Sequence, residues 1–242
     1  LSNWPNISIV LPIHEEGAAL ERLFAELIRV LEVVPYGWEI VAVDDGSRDA
    51  TPAILARLAA ADSRFRVVTL PSRTGQGPAL AAGFAAARGA MVVTLDADGE
   101  NDPADIPRLL AAHTGCACVF GYRVGRCDCL HRRLGSRLAN GLRRWWLGDA
   151  IRDAGCGLKV LPAARARQLP AMRNMHLFMA NLPALEGTPI IQLPVRHRPR
   201  HAGRSRYGSP ALIWTGLNDL IRMASAQGTS PCSRSRRLTC SR

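Results

Sequence analysis

The sequence predicts an α/β fold built on a mostly parallel sheet with helices on both faces. Three observations carry this. Short apolar runs alternate with longer segments of helical periodicity through the first half of the chain. The runs have the length of buried strands, and the acidic residues gather where two of those runs end.

Residues 7–12, Ile-Ser-Ile-Val-Leu-Pro, read as a buried strand. Residues 18–34 then place Leu20, Leu23, Phe24, Leu27, Ile28 and Leu31 at helical spacing. Residues 38–43 form a second strand and 51–61 a second helix. Residues 65–70, 78–87 and 91–95 repeat the pattern as strand, helix and strand, and a helix over 105–112 and a strand over 116–122 follow. Beyond them the regularity fades. Residues 130–147 read as a basic amphipathic helix, with Leu130, Leu134, Leu138 and Leu142 on one side and Arg133, Arg137 and Arg144 off that stripe. Residues 189–197 read as a late strand before a very basic loop. This alternation implies βαβ units in a Rossmann-like sheet, and such sheets bind ligands beyond the carboxyl ends of their strands.

Composition limits the functions open to such a fold. With 242 residues, 48% of them apolar, the chain supports one sizeable core. We expect a catalytic domain over residues 1–208, an amphipathic helix over 209–228 and a disordered tail over 229–242, where Ser, Arg, Thr and Cys dominate. Lys and Arg outnumber Asp and Glu by 31 to 20, a net charge of +11 that favours polyanionic partners, whether phosphorylated substrates or an anionic membrane surface. Aromatic residues make up 5% and no nucleic-acid-binding motif is present, which argues against nucleic acid as a partner. We expect no signal peptide, and no apolar stretch reaches the ~18 residues of a membrane-spanning helix. Seven cysteines show no disulfide framework, so the expected compartment is the cytoplasm, without a transmembrane span.

Two acidic clusters carry the chemistry. The second strand ends in Val43-Asp44-Asp45-Gly46-Ser47, where a ligand would bind, although a turn and helix cap would use the same residues. The fourth ends in Asp96-Ala97-Asp98-Gly99-Glu100. In extended chain, alternate residues project to one side, so Asp96, Asp98 and Glu100 would converge. Carboxylate oxygens suit Mg²⁺ or Mn²⁺, and either ion bridges a diphosphate; a solvated acidic turn is the plainer alternative.

The order Ile9-Val10-Leu11-Pro12, Val43-Asp44-Asp45-Gly46-Ser47 and Asp96-Ala97-Asp98 resembles the family 2 glycosyltransferases of GT-A fold. The runs Arg152-Asp153-Ala154-Gly155-Cys156-Gly157-Leu158-Lys159 and Arg200-His201-Ala202-Gly203-Arg204-Ser205-Arg206-Tyr207 look like its dolichyl-phosphate mannosyltransferase and polyprenyl-phosphate glycosyltransferase branch. The resemblance covers residues 7–208. It implies a nucleotide-sugar donor (GDP-mannose or a UDP-sugar), a polyprenyl phosphate acceptor, and inverting transfer of a mannose- or glucose-type hexose at the cytoplasmic membrane face.

By the same resemblance Pro12, Glu16 and Asp44 line the nucleoside pocket, with Asp45 beside them. Asp96, Asp98 and Glu100 match metal-binding positions, and Arg123 and Arg137 match basic residues near the donor diphosphate. Asp153 stands where the family has a candidate catalytic carboxylate, which would orient acceptor or sugar more than abstract a proton. Arg200, Ser205 and Arg206 match a basic loop that closes over phosphates. His14-Glu15 departs from the family's aromatic-asparagine pair, and Leu177 stands where an arginine is expected.

Other readings compete. Within the same fold the acceptor would be a polysaccharide or a lipid-linked saccharide. In a different class, the charge alone would make a non-catalytic membrane-surface or nucleic-acid-binding protein, which has no use for Asp96, Asp98 and Asp153. Cys116, Cys118, Cys127, Cys129 and His131 lack the spacing of a structural zinc site and read as buried or incidental thiols. His176 and His197 read as structural histidines.

Overall fold

The computed structural model describes residues 5–125, 140–141, 144–145, 148, 150–182 and 185–199. The chain divides into two compact units, residues 1–127 with 153–203 and residues 128–152 with 204–242. The elements below belong to the first. Most of 130–147, with Arg137, lies outside the described residues, as do Arg200, Ser205 and Arg206 and the segments 209–228 and 229–242.

The alternation read from the sequence is present. Strand β1 (Ile7–Ile13) leads to helix α1 (Gly17–Leu31), β2 (Trp38–Asp44) to α2 (Thr51–Ala61), β3 (Phe65–Thr69) to α3 (Gln76–Ala86), and β4 (Met91–Thr94) to α4 (Ile106–Ala112). Then come β5 (Cys118–Val124), β6 (Lys159–Pro162) and β7 (Ile190–Arg196). Among the described residues these form one seven-stranded sheet in the order β3-β2-β1-β4-β6-β5-β7. Its neighbours pair in parallel except at β6, which runs antiparallel to both β4 and β5.

Alternate residues of β1 serve the two faces. Ile7, Ile9, Leu11 and Ile13 join the core that α1 completes with Leu20, Phe24, Leu27 and Leu31. On the other face α3 lies so close that a Cβ on Gly83 would stand 2.3 Å from Val10 Cγ1. Such buried, two-faced strands explain why their sequences run almost continuously apolar. Helix α1 stops three residues short of the predicted end at 34, because Pro35 disfavours helical backbone in the residue before it. Strand β5 begins at Cys118 rather than 116, and Cys116 is exposed.

Strand β6 was not anticipated. Four residues are too few to show periodicity, and its first, Lys159, breaks the apolar run. The reversed strand brings the start of β6 to the edge where β4 ends, with Thr94 opposite Lys159. The Asp153–Lys159 motif therefore arrives beside the Asp96 turn.

Candidate active site

The carboxyl ends of β1 and β2 are stitched together. His14 Nδ1 lies 2.8 Å from the Asp45 carbonyl oxygen, Glu15 N donates to Ser47 Oγ at 3.0 Å, and Glu16 N to Thr51 Oγ1 at 3.2 Å. Glu15 holds this turn at φ 55°, left-handed for a non-glycine residue. The adjacent acids differ in their work. Asp45 is buried, and its carboxylate accepts from Thr74 N (2.6 Å), Thr74 Oγ1 (2.8 Å) and Gly75 N (2.8 Å), clamping the entry to α3. Asp44, equally buried, accepts from Ser47 N at 3.0 Å. Pro12, opposite Val43, follows the last β1–β4 pair.

At the end of β4, Asp96 and Asp98 interact as like charges. Burial first, and then the charge on Asp98, push the Asp96 carboxyl up to about 7, while Lys159 and Arg123 pull the other way. Gln76 Nε2, at the start of α3, donates to Asp96 Oδ1 at 2.7 Å. Gly157 makes room for this carboxylate: a Cβ there would fall 2.2 Å from Asp96 Oδ2.

The three acids do not line up as alternate residues of an extended strand. Strand β4 ends at Thr94, Gly99 turns the chain at φ 75°, and Asp98 Oδ1 accepts from Glu100 N at 3.0 Å, so the alternation of extended chain is lost. Glu100 instead meets His197, whose Nε2 lies 3.4 Å from Glu100 Oε2. Among the described residues no three His, Cys, Asp or Glu side chains are grouped to hold an ion. Asp96 and Asp98 remain as a pair. One or two carboxylates are the usual protein share of a Mg²⁺ site, so the residues present fit a divalent ion.

Across the turn, Arg123 and Asp153 form a two-point ion pair, Nε to Oδ2 at 2.7 Å and Nη2 to Oδ1 at 2.9 Å, with both side chains largely buried. Burial opposes the guanidinium charge, but the Asp153 hydrogen bonds outweigh it and raise the Arg123 pKa above its ordinary value. Asp153 thus fixes the orientation of Arg123. Beneath them lies Lys159, buried, donating from Nζ to the carbonyls of Ala154 (3.3 Å) and Cys156. Burial lowers its pKa, while Cys156, Asp96 and Asp153 raise it. Thr94 Oγ1 donates to Gly157 O at 2.6 Å, and Asn101 Nδ2 lies 3.8 Å from Cys156 Sγ, so the two loops are tied at both ends.

Cys156 is pushed up to about 11 and Cys118 to about 12, both chiefly by burial, which leaves them thiols rather than ligands or nucleophiles. Cys127, Cys129 and His131 lie outside the described residues. His176 is buried, and burial and then Lys159 push its pKa down to about 3, so it is a neutral ring.

The structure therefore gathers Pro12, Glu16, Asp44, Asp45, Asp96, Asp98, Arg123 and Asp153 along one edge of the sheet. Sequence reasoning passed over Gln76 and the role of Lys159, although Lys159 is the only lysine among 31 basic residues.

A family model described as Glycosyl transferase family 2 matches residues 8–159, from β1 to the first residue of β6. The chain belongs to glycosyl transferase family 2. Among its curated relatives, the undecaprenyl-phosphate 4-deoxy-4-formamido-L-arabinose transferase of Edwardsiella ictaluri is 38% identical over 212 residues, 86% of this chain and 64% of that one. The protein of the same description from Pseudomonas fluorescens is 36% identical over 217 residues, 89% of this chain and 64% of that one. This family 2 chain thus spans 64% of the length of these relatives. Solved structures agree on a GT-A fold. Glucosyl-3-phosphoglycerate synthase from Mycobacterium tuberculosis, in complex with Mg²⁺ and uridine diphosphate, superposes with a TM-score of 0.65 at 23% identity, covering 93% of this chain and 80% of that one. Its complex with uridine diphosphate alone gives 0.62 at 25% identity, over 93% and 81%.

Proposed function

We propose that this chain transfers a sugar from a nucleoside-diphosphate sugar to a polyprenyl phosphate. The observation that carries the reading is the placement of Asp96 and Asp98 just past the end of β4, with Gln76 and Gly157 fitted around the Asp96 carboxylate and the charge on Asp98 close enough to raise its pKa. The relatives named as undecaprenyl-phosphate sugar transferases support the acceptor class.

Pro12, Glu16 and Asp44 would hold the nucleoside, with Asp45 fixing the loop beside them. Asp96 and Asp98 would hold Mg²⁺ or Mn²⁺ against the diphosphate. When bound, the ion supplies charge neutralisation for the departing nucleoside diphosphate. Arg123, locked in orientation by Asp153, adds a fixed positive charge at the same edge, and preorganised charge of this kind is often the largest catalytic contribution. Arg137, Arg200, Ser205 and Arg206 are assigned to the diphosphate and the acceptor by resemblance alone.

A phosphate monoester has a second pKa of about 6, so the acceptor is largely dianionic at neutral pH and needs no base to activate it. That agrees with an Asp153 occupied by Arg123. One acceptor oxygen forms the bond to the anomeric carbon as the bond to the diphosphate oxygen breaks, inverting that carbon.

The sugar of these relatives, 4-deoxy-4-formamido-L-arabinose, favours a substituted pentose alongside the hexoses expected from the motifs. The donor is a UDP-sugar in this reading, with GDP-mannose the alternative. In this reading the reaction lies at the cytoplasmic face of a membrane, and the +11 charge suits an anionic surface. Among the described residues no helix is long and apolar enough to cross a bilayer.

The test is extraction of labelled lipid after incubation with Mn²⁺, a short polyprenyl phosphate and each donor in turn: UDP-4-deoxy-4-formamido-L-arabinose, UDP-glucose, UDP-N-acetylglucosamine and GDP-mannose. Labelled lipid from one donor supports the reading. Label transferred only to an added glycan, or to nothing, overturns it.

A further inference from the structure

The turn that carries Asp98 stands off α1 across a cavity of about 40 Å³, lined in part by Ala18, Leu23, Glu26, Gly99, Asn101 and Arg198. Arg198, two residues past β7, bridges this gap. Its Nη1 donates to Glu26 Oε2 on α1 at 2.6 Å, and its Nη2 donates to Asp102 Oδ1 at 2.6 Å. Its backbone N donates to Glu100 O at 2.9 Å, and His197 beside it forms a β-bridge with Asn101. Residues 197–198 therefore hold the turn at three successive positions, 100, 101 and 102.

The hold reaches Asp98 through one further link. Asp98 Oδ1 accepts from Glu100 N at 3.0 Å, and the carbonyl of that same residue accepts from Arg198 N. The direction of the Asp98 carboxylate is thus fixed to a backbone segment that Arg198 fixes in turn. The bridge is ionic at neutral pH. Burial raises the Glu26 carboxyl, but hydrogen bonds from Arg198 and Arg22 bring it below its ordinary value. Burial lowers the Arg198 guanidinium, but Glu26 and Asp102 together raise it. A guanidinium reaches two carboxylates in different directions because its donors are fixed in a planar fork, whereas an ammonium serves them as one point charge.

We propose that Arg198 is a positioning residue for the divalent cation: it braces the 98–102 turn across the cavity and so sets where Asp98 stands relative to Asp96. This rests on the reading of Asp96 and Asp98 as cation ligands. Without the guanidinium the backbone ties at 100 and 101 remain, but the strut between α1 and Asp102 is gone, and the turn settles toward α1, carrying Asp98 with it. The sequence offers no hint of this, since Arg198 is one of many arginines in a basic stretch and its partners lie 96 and 172 residues away.

The experiment is a Mn²⁺ titration of the full chain in the presence of uridine diphosphate, reading free Mn²⁺ by electron paramagnetic resonance, with thermal unfolding recorded in parallel. Arg198→Met weakens Mn²⁺ binding about tenfold, the scale on which partners behind metal ligands act. Arg198→Lys and Glu26→Gln fall between it and the wild type, and Asp98→Asn abolishes binding. Wild-type Mn²⁺ affinity in both Arg198→Met and Glu26→Gln, beside loss in Asp98→Asn, overturns the proposal and leaves the ligand reading standing. Should Arg198→Met fail to fold, Glu26→Gln decides, because it releases only the α1 end of the brace. Equal Mn²⁺ binding by the wild type and Asp98→Asn, or none by either, overturns the ligand reading and the proposal with it.

Discussion

Arg123 and Asp153, one at the end of β5 and one in the loop before β6, meet through two parallel hydrogen bonds of 2.7 and 2.9 Å, and Arg123 N adds a third to the same carboxylate at 3.2 Å. The pair fixes the orientation of both side chains. Asp153→Asn leaves a buried guanidinium without its counter-charge, which costs about 3 kcal/mol or more and lowers the Tm by about 10 °C. In a cycle of Arg123→Met, Asp153→Leu and the double variant, the double change costs less than the sum of the singles by about 2 kcal/mol. Additive losses in urea unfolding would sink the assignment of Asp153 as the partner of Arg123.

Gly157 is tied to Asp96 by space rather than by conformation. The methyl group of Gly157→Ala would arrive 2.2 Å from Asp96 Oδ2, and the carboxylate is the part able to move. Activity at a fixed Mn²⁺ concentration then falls about a hundredfold, the scale of an ångström's misplacement at a reacting centre. The test is to compare activity with melting: a loss of activity that merely follows a loss of fold contradicts the assignment.

The neighbours Asp44 and Asp45 separate in the same kind of comparison. Asp45→Ala strips three hydrogen bonds from the 74–75 loop and costs about 2 kcal/mol of stability. Asp44→Ala raises the donor KM while leaving the Tm closer to wild type. Reversed phenotypes would exchange their roles.

The fold was legible in the sequence, and parts of the site were not, for reasons visible at particular residues. The strands β1, β2 and β4 announce themselves because burial on both faces leaves little but Ile, Val, Leu and Ala in their middles. The acids at the ends of β2 and β4 follow from the rule that ligands lie beyond strand ends. Two things escaped. Strand β6 is short and carries Lys159, so nothing in its pattern reveals the reversal that delivers Asp153 and Gly157 to the Asp96 turn. The division of labour within Asp96, Asp98 and Glu100 depends on Gly99 turning at φ 75° and on His197, almost a hundred residues away, meeting Glu100. Spacing along the chain contains neither fact.

Asp49 gives a prediction in pH. One carboxylate oxygen accepts from Thr51 N at the start of α2, and the other from Gly17 N at the start of α1, joining two helix ends. Burial raises its pKa, but the hydrogen bonds from Thr51 and Gly17 lower it below the ordinary 3.8. The folded value lies below the unfolded one, so the stabilisation is fully present above the unfolded value and is lost as pH falls through the folded value. Asp49→Ala costs about 1 kcal/mol at neutral pH, the scale of the hydrogen bonds it removes. Unfolding curves of wild type and variant draw together as pH falls below that range; a constant gap would show that the charge is immaterial.

The central claim is that Asp96 and Asp98 hold a divalent ion against a nucleotide-sugar diphosphate for transfer to a lipid phosphate. Its most direct measurement is Mn²⁺-dependent formation of polyprenyl-phosphate sugar by wild type and Asp98→Ala, both shown to be folded. The account predicts lipid-linked product from the wild type that disappears with chelator and is reduced at least about a hundredfold in Asp98→Ala. Product that forms equally with chelator, or equally in Asp98→Ala, would contradict it.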